Sequence, residues 1–335
     1  METYMASGRI VEIRDWRSSI HQDLIPAGTH DAIMVQLLAA FGDRLKISPQ
    51  IEPSLRDALH YLLANPGSMV RPRIIYRLAS VYGLDRHEAI DLAIALEYFH
   101  TASLVFDDLP CMDNASMRRG VPCVHIEFSE STAILASLAL INRAYNLTFG
   151  AIASCPSRLR DPALAYLEQH LGIQGLLNGQ SLDLNYSRLP HTPDMTGRVA
   201  QAKTVSLISL TLVLPALIGA ASIRELQLLQ RISTFWGLSY QIVDDLRDIL
   251  ESSSTSGKTT ARDESLDRPN MVLAIGVGAS LNRLLRLLFL GDRNLKLLIE
   301  IRPSLSFLRE FRATLKDELN RIIEGTGAIP IDRKR

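Results

Sequence analysis

Helical periodicity runs through almost the whole chain and constrains its fold more than any other feature. Apolar residues recur at i, i+3, i+4 and i+7 in successive segments between Ile20 and Gly325. No Asn-Gly or Asp-Gly pair lies between two alternating runs, so strand hairpins are not indicated. The helices are long and largely apolar around their circumference, which is typical of the interior of a large bundle. The sequence therefore predicts an all-α fold, with one domain over residues 1–335.

The clearest single helix precedes an acidic segment in the first third of the chain. Asp85 is the expected N-cap, and Glu88 three residues later completes a capping box. Pro110 sets the expected end of this helix. The later segment Leu159–Leu184 is interpreted as one further helix.

Charge and cysteine content exclude several classes of protein. Lys and Arg number 36 against 36 Asp and Glu, so the basic excess of a nucleic-acid binder is missing. Three cysteines do not form a disulfide framework and fit a reducing compartment. The N-terminus carries charges where a signal peptide needs an apolar stretch, and the longest apolar run contains Pro215. We expect a cytoplasmic protein with no transmembrane segment and no nucleic-acid partner.

Two acidic clusters each follow an apolar helical segment. The first is DDLPCMDNASMRRG, with Asp107, Asp108 and Asp113 followed by two arginines. Asp107 and Asp113 are six residues apart, so they share a site only if the chain at Pro110 and Cys111 loops out and lets Asp113 turn back.

The second cluster is YQIVDDLRD, which contains Asp244, Asp245 and Asp248 one turn after Gln241. Asp244 and Asp248 are i, i+4 and share one helix face, where like charges repel without a cation. Several carboxylates converging on one cavity suit Mg²⁺, which keeps waters and bridges to substrate phosphates. Taken singly, either cluster could be a solvated charge run, but two of them together with basic residues favour diphosphate chemistry.

These motifs resemble the trans-isoprenyl diphosphate synthases, the polyprenyl synthetase family. The matching stretches are DDLPCMD…RRG, GLLNGQSLD, AKT and YQIVDDLRD…GK, in register from Pro66 to Arg268. The two-residue insertion in the first motif is similar to that of bacterial and plant geranylgeranyl diphosphate synthases. The resemblance implies one all-α bundle around a deep central cavity, usually a homodimer. It also implies head-to-tail condensation of an allylic diphosphate with isopentenyl diphosphate, with up to three Mg²⁺ ions.

The resemblance also implies roles for individual residues. The metal ligands would be Asp107, Asp108, Asp113, Asp244 and Asp248. The allylic diphosphate would be held by Arg118, Lys203 and Lys258, with Gln180, Asp183, Thr204 and Gln241 lining the same pocket. Isopentenyl diphosphate would be held by Arg71, His100 and Arg119. Asp263 and Arg268 fall at charged positions of the loop after the second motif.

The sequence departs from the family pattern at the first basic motif. Ser68 and Met69 stand where Lys and Arg are usual, which weakens the expected site for the second substrate. Two alternatives therefore stay open: a class I terpene cyclase-like enzyme that ionises one allylic diphosphate, and a non-catalytic partner subunit of a synthase. Ala102 and Ser103 occupy the positions that often form the floor of the cavity in this family. Because both are small, the expected product is C20 geranylgeranyl diphosphate.

Overall fold

The computed structural model describes residues 2–6, 9–13, 32–250, 267–314 and 317. The chain groups into two compact units, Met1–Cys155 and Pro156–Arg335, and each is described by itself. Both units are built from helices, so the predicted all-α class is confirmed. The prediction of a single domain over residues 1–335 stays a prediction.

The first unit contains six helices among the described residues, together with two short antiparallel hairpins. One hairpin joins β1 and β2 near the N-terminus, and the other joins β3 and β4 after the first acidic motif. Helices α4 and α6 form the most extensive packed pair of this unit. The element bounds are β1 Glu2–Ala6, β2 Arg9–Ile13, α1 Ala32–Asp43, α2 Pro53–Ala64, α3 Val70–Val81, α4 Arg86–Asp107, β3 Met117–Arg118, β4 Val121–Pro122, α5 Val124–Glu127 and α6 Glu130–Ser154.

The second unit is built around two long helices, α11 and α13, which pack along each other. A five-residue π-helical segment lies between α9 and α10, so the three pieces form one interrupted helix. The element bounds are α7 Ser157–Leu171, α8 Leu176–Leu184, a 3₁₀ turn Tyr186–Arg188, α9 Pro193–Ala200, the π segment Gln201–Val205, α10 Ser206–Ile218, α11 Ile223–Leu250, α12 Met271–Ile275, α13 Val277–Ile301 and a 3₁₀ turn Pro303–Phe307.

Helix α4 follows the sequence prediction at both ends. Asp85 accepts from the backbone N–H groups of His87 and Glu88, and the Glu88 carboxylate accepts from the N–H of Asp85, which completes the capping box. The helix ends at Asp107, three residues before Pro110. Most of its length is buried, so it forms the core of the first unit and delivers the first acidic motif directly from that core.

Two helical stretches of the described chain are long and apolar enough to cross a membrane, Arg86–Asp107 and Pro193–Ile218. In their most apolar windows 72% and 61% of the residues are buried inside the protein. Buried core helices of this length satisfy the same criteria, so the two stretches are weak evidence for a membrane span.

The prediction of one helix over Leu159–Leu184 is wrong. The chain breaks between α7 and α8, where Gly172 and Gly175 make backbone contacts that a side chain would prevent. A Cβ at Gly172 would lie 2.5 Å from the carbonyl oxygen of Glu168, and one at Gly175 would lie 2.3 Å from that of His170. The helical periodicity alone did not reveal this break.

Candidate active-site residues

The first acidic motif folds back on itself immediately after α4. The backbone N–H of Asp113 donates to the carbonyl of Asp107 at 2.9 Å, and the N–H of Ala115 donates to the carbonyl of Asp108 at 3.1 Å. The intervening residues, including the exposed Pro110, form the loop. The predicted return of Asp113 to Asp107 is therefore confirmed, and both of these aspartates are half-exposed.

A tight hairpin then positions the two arginines. Met117 and Arg118 pair with Val121 and Pro122, and the turn consists of Arg119 and Gly120. Their φ angles are +54° and +79°, which is the left-handed backbone that a two-residue type I′ turn requires. A non-glycine residue rarely adopts this conformation, so Arg119 is held there by the hairpin around it.

Asp108, unlike its neighbour Asp107, is only 3% exposed, and it forms a salt bridge with Arg118. The Nε of Arg118 lies 2.8 Å from both carboxylate oxygens, and Nη2 lies 2.7 Å from Oδ1. This carboxylate thus orients Arg118 in the structure. The predicted metal-binding role of Asp108 remains a prediction, but its oxygens already accept hydrogen bonds.

A buried carboxylate, Glu97, and a half-buried imidazole, His100, follow each other by one turn on α4. Glu97 is 2% exposed, and burial raises its pKa, while Arg71 and Arg119 act in the opposite direction. At His100, burial is the main cause of a pKa well below the usual value, and Arg71, Arg119 and Arg118 lower it further. His100 is therefore a neutral imidazole near pH 7. Among the described residues no group hydrogen-bonds to its buried Nδ1 atom.

Arg119 lies directly against the segment that departs from the family pattern. A Cβ on Gly67 would come within 2.5 Å of the Arg119 guanidinium, so only glycine permits this approach without movement. The neighbouring Ser68 is exposed, whereas Met69 is 1% exposed and has a φ of +53° at the start of α3. The side chains that replace the usual Lys and Arg therefore add no positive charge here.

The two predicted chain-length residues differ in their surroundings. Ala102 is fully buried, and Ser103 is half-exposed with its hydroxyl donating to the carbonyl of His100 at 2.8 Å. Of the two, Ser103 has the surface that could meet a prenyl chain. Their role as a cavity floor stays a prediction.

The second acidic motif lies near the C-terminal end of α11. Asp244 and Asp248 are half-exposed on one helix face, as predicted from their spacing. Arg247 lies 3.5 Å from the carboxylate of Asp244. Asp245 points elsewhere, since it is 1% exposed and its oxygens accept from the side chain of Gln241 and a backbone N–H.

Lys203 and Thr204 belong to the π-helical segment, which is held by two close glycine contacts. A Cβ on Gly179 of α8 would lie 2.4 Å from the backbone nitrogen of Lys203. A Cβ on Gly237 of α11 would lie 2.7 Å from the side chain of Val205. Single π-helical turns are rare and often occur at functional sites. Neither glycine was predicted from the sequence to be functional, although Gly179 lies inside the motif GLLNGQSLD.

The carboxylate of Asp183 pairs with Lys203 at 2.8 Å, which joins α8 to the π segment. The backbone carbonyl of Asp183 also accepts from Arg268 at 3.2 Å, so Arg268 lies beside the same group. Gln180 is half-exposed one turn earlier on α8. The structure thus brings Asp183, Lys203 and Arg268 together. Lys258, which the resemblance assigned to the allylic diphosphate, and Asp263, which it placed at a charged position of the loop after the second motif, lie outside the described residues.

The carboxylates of the two acidic motifs suit magnesium ions that are also bound by the phosphate oxygens of a substrate. Each acidic motif presents two half-exposed carboxylates, and no group of three metal-ligating side chains occurs in the described part of the chain. Mg²⁺ is commonly bound by one or two carboxylates together with phosphate oxygens and water, so two carboxylates per motif are sufficient. The positions are Asp107 and Asp113 in the first motif and Asp244 and Asp248 in the second.

Glu97 is the residue of this site that the sequence analysis missed. It is the only acidic residue in the stretch Leu92–Thr101, and it precedes His100 by three residues. A carboxylate inside an apolar helix requires compensation, so its spacing from His100 was the available signal.

Comparison with known proteins supports the interpretation of the motifs. The sequence model of the polyprenyl synthetase family matches residues 52–288. A geranylgeranyl diphosphate synthase from Pseudescherichia vulneris is 36% identical over 232 residues, which cover 69% of this chain and 74% of that protein. Geranylgeranyl pyrophosphate synthase 11, a chloroplastic protein of Arabidopsis thaliana, is 36% identical over 241 residues, covering 69% of this chain and 66% of that protein.

A solved structure gives the same result for the fold. The geranyltransferase from Helicobacter pylori, crystallised with magnesium and isoprenyl diphosphate, has a TM-score of 0.73 at 25% identity. The match covers 88% of this chain and 96% of that structure. The chain therefore belongs to the polyprenyl synthetase family of prenyltransferases and is similar to its geranylgeranyl diphosphate synthases.

Proposed function

We propose that this chain condenses an allylic diphosphate head-to-tail with isopentenyl diphosphate in a magnesium-dependent reaction, with C20 geranylgeranyl diphosphate as product. The observation that carries the proposal is the buried Nδ1 of neutral His100, which has no hydrogen-bond partner in the described part of the chain and is close to Arg71 and Arg119. An imidazole N–H and two guanidinium groups form a donor set suited to a diphosphate. The second unit carries a further basic group, Lys203, which pairs with Asp183.

The residues divide the chemistry between leaving-group stabilisation and nucleophile binding. Magnesium bound at the two acidic motifs would neutralise charge on the allylic diphosphate as its C–O bond breaks. The family resemblance assigns two fixed positive charges to the same leaving group: Arg118, which Asp108 orients in the first unit, and Lys203, which Asp183 orients in the second. His100, Arg71 and Arg119 hold isopentenyl diphosphate, whose double bond attacks the allylic carbon. The released diphosphate can then accept the proton, so no side-chain base is needed.

The size of the product follows from the small side chains on α4. Ala102 and Ser103 place no aromatic ring one turn before the first acidic motif. A prenyl chain that meets neither residue can grow beyond C15, which supports the proposed C20 product.

Kinetics with two arginine variants on α3 test the second-substrate site. Arg71→Gln should raise KM for isopentenyl diphosphate about tenfold, because one charge-assisted hydrogen bond is lost. KM for the allylic diphosphate should change less than twofold. The matched control is Arg73→Gln on the same helix, which should leave both constants unchanged. Equal changes in both KM values for Arg71→Gln would contradict the assignment.

One observation favours a second candidate function. Ser68 and Met69 leave the first basic motif without two of its usual charges, as a class I terpene cyclase-like enzyme with one substrate would permit. That candidate predicts hydrocarbon or alcohol formation without isopentenyl diphosphate. A non-catalytic partner subunit predicts no turnover with either substrate.

We also propose that the protein acts as a cytoplasmic homodimer. Support for pairing comes from α6, which leaves four large apolar side chains exposed: Ile134, Leu135, Leu138 and Phe149. Exposed apolar surface of this kind marks interaction sites. Light scattering of the purified protein should give twice the mass of one chain, and a monomer at assay concentration would contradict the proposal.

A further inference from the structure

Asp245 is the buried member of the second acidic pair and has a hydrogen-bond network of its own. Its Oδ1 accepts from Nε2 of Gln241 at 2.9 Å, and its Oδ2 accepts from the backbone N–H of Met271 at 2.7 Å. Gln241 in turn accepts a hydrogen bond at Oε1 from the hydroxyl of Thr204 at 2.5 Å. The network thus connects α11 to the π segment on one side and to the start of α12 on the other.

The chemistry of these groups fixes the direction of every hydrogen bond in the network. The NH₂ group of Gln241 donates to Asp245, so its side-chain oxygen faces Thr204. The Thr204 hydroxyl then has to donate its proton to Gln241. What the half-exposed hydroxyl presents to its surroundings is its lone pairs.

Asn270 also holds the backbone of Asp245 in this arrangement. Asn270 donates to the backbone carbonyl of Asp245 at 3.3 Å, and its own side-chain oxygen accepts from Val272 and Leu273 at the start of α12. Because Asp245 is 1% exposed, water does not compete for its oxygens. The orientation of Gln241, and through it that of Thr204, is therefore fixed by buried groups.

We propose that Asp245 is a positioning residue that keeps the Thr204 hydroxyl as a hydrogen-bond acceptor toward positive charge in the substrate site. The inference rests on the proposed function, in which Lys203 and Asp244 belong to that site. Lone pairs suit a group that donates hydrogen bonds or carries positive charge. In this reaction two such groups occur, the water shell of magnesium and the cationic carbon of the ionised allyl group. A phosphate oxygen, which itself needs a donor, is disfavoured at Thr204.

Replacement of Asp245 by Asn reverses the network without removing it. The N–H of Met271 still needs an acceptor, so the new amide oxygen faces Met271 and its NH₂ group faces Gln241. Gln241 must then turn its oxygen to residue 245 and its NH₂ group to Thr204. The threonine hydroxyl becomes an acceptor from Gln241 and directs its proton outward. The variant therefore keeps the shape of the site and reverses the direction of the hydrogen bond between Thr204 and Gln241.

Calorimetric binding provides a readout that does not depend on turnover. The first probe is inorganic diphosphate, titrated with and without Mg²⁺. The second is an allylic diphosphate analogue with an ammonium nitrogen in place of the cationic carbon, compared with its neutral carbon isostere. We expect Asp245→Asn to lower the affinity for at least one of the positively charged probes about tenfold, because a hydrogen bond to a charged group is lost. Metal-free diphosphate and the neutral isostere should bind as they do to the wild type.

The two probes distinguish the source of the positive charge. A loss confined to diphosphate with Mg²⁺ assigns the Thr204 lone pairs to the hydrated metal. A loss confined to the ammonium analogue assigns them to the cationic carbon, and either result supports the proposal. Equal affinities of the wild type and Asp245→Asn for both positive probes would overturn it.

Threonine variants show whether Asp245 acts through Thr204. Thr204→Val should reproduce the weakened binding, and Thr204→Ser, which keeps the hydroxyl, should restore it. In a Thr204→Val background Asp245→Asn should cause no further loss, whereas additive losses would mean an independent role and refute the proposal. If Asp245→Asn does not fold, Gln241→Met removes the same relay while leaving the contact between Asp245 and Met271. Failure of the wild type to bind either probe would instead overturn the proposed function, and this inference with it.

Discussion

Replacement of Gly179 by Ala perturbs the placement of Lys203 without touching any charged group. The added Cβ would lie 2.4 Å from the backbone nitrogen of Lys203, 2.7 Å from the carbonyl carbon of Ala202 and 2.8 Å from the Cα of Lys203. Carbon contacts normally lie at about 3.5–4.0 Å, so α8 and the π segment must separate by roughly 1 Å. All three atoms are backbone, so no side-chain rotation relieves the clash.

The size of the effect follows from this displacement. Overpacking of a well-packed site costs about 1–3 kcal/mol, from which the higher helix propensity of Ala recovers up to about 1 kcal/mol. A misplacement of about 1 Å in a catalytic group can cost on the order of a hundredfold in rate. We therefore expect kcat for the allylic substrate to fall between about tenfold and a hundredfold. The free energy of unfolding should fall by about 1–2 kcal/mol.

The assay combines steady-state kinetics with chemical unfolding, and α6 offers a matched control. Gly150 is also helical, but nothing lies within 4 Å of a Cβ added there. Gly150→Ala should therefore leave kcat unchanged and stabilise the protein by up to about 1 kcal/mol. Wild-type kinetics for Gly179→Ala would refute the reasoning, because the position of Lys203 would then not depend on the close contact between α8 and the π segment.

Four other substitutions give distinct outcomes. Asp107→Ala should lower turnover on the order of a hundredfold at saturating Mg²⁺, and a near-normal rate would remove it from the metal site. Ser68→Lys should lower KM for isopentenyl diphosphate, and an unchanged KM would favour a reaction without that substrate. Ser103→Phe should shorten the product below C20 by chromatography, and an unchanged product would mean that it does not face the chain. Burial alone raises the pKa of Glu225, but hydrogen bonds from Arg302 and Ser222 outweigh it and lower the pKa to about 2. The stability that this carboxylate contributes is present above about pH 4.5 and is lost as the pH falls toward 2. Glu225→Gln should therefore lower the free energy of unfolding by about 2 kcal/mol at pH 7. The variant should also lose less stability than the wild type when unfolding is measured at decreasing pH.

Local patterns predicted the helices and the first acidic motif well, since their causes lie within a few residues. The capping box at Asp85 needs only Glu88 three positions on, and the return of Asp113 toward Asp107 follows from a proline-containing loop. The break between α7 and α8 was not predictable in this way. It depends on how closely the backbone at Gly172 and Gly175 approaches the preceding turn.

The different surroundings of the two aspartates in each pair could be recognised only from the structure. In sequence, Asp107 and Asp108 are equivalent, and so are Asp244 and Asp245. In the folded chain the first member of each pair is half-exposed, and the second is buried among hydrogen-bond donors. These donors come from 10 residues away in the case of Arg118 and 26 in the case of Met271, so no local pattern reveals them.

The most direct test of the account is product analysis after incubation of the purified protein with Mg²⁺, farnesyl or geranyl diphosphate and labelled isopentenyl diphosphate. The account predicts labelled C20 diphosphate, with one label per molecule when farnesyl diphosphate is the starting substrate. Unlabelled hydrocarbon or alcohol, formed equally well without isopentenyl diphosphate, would contradict it and identify a cyclase-like enzyme.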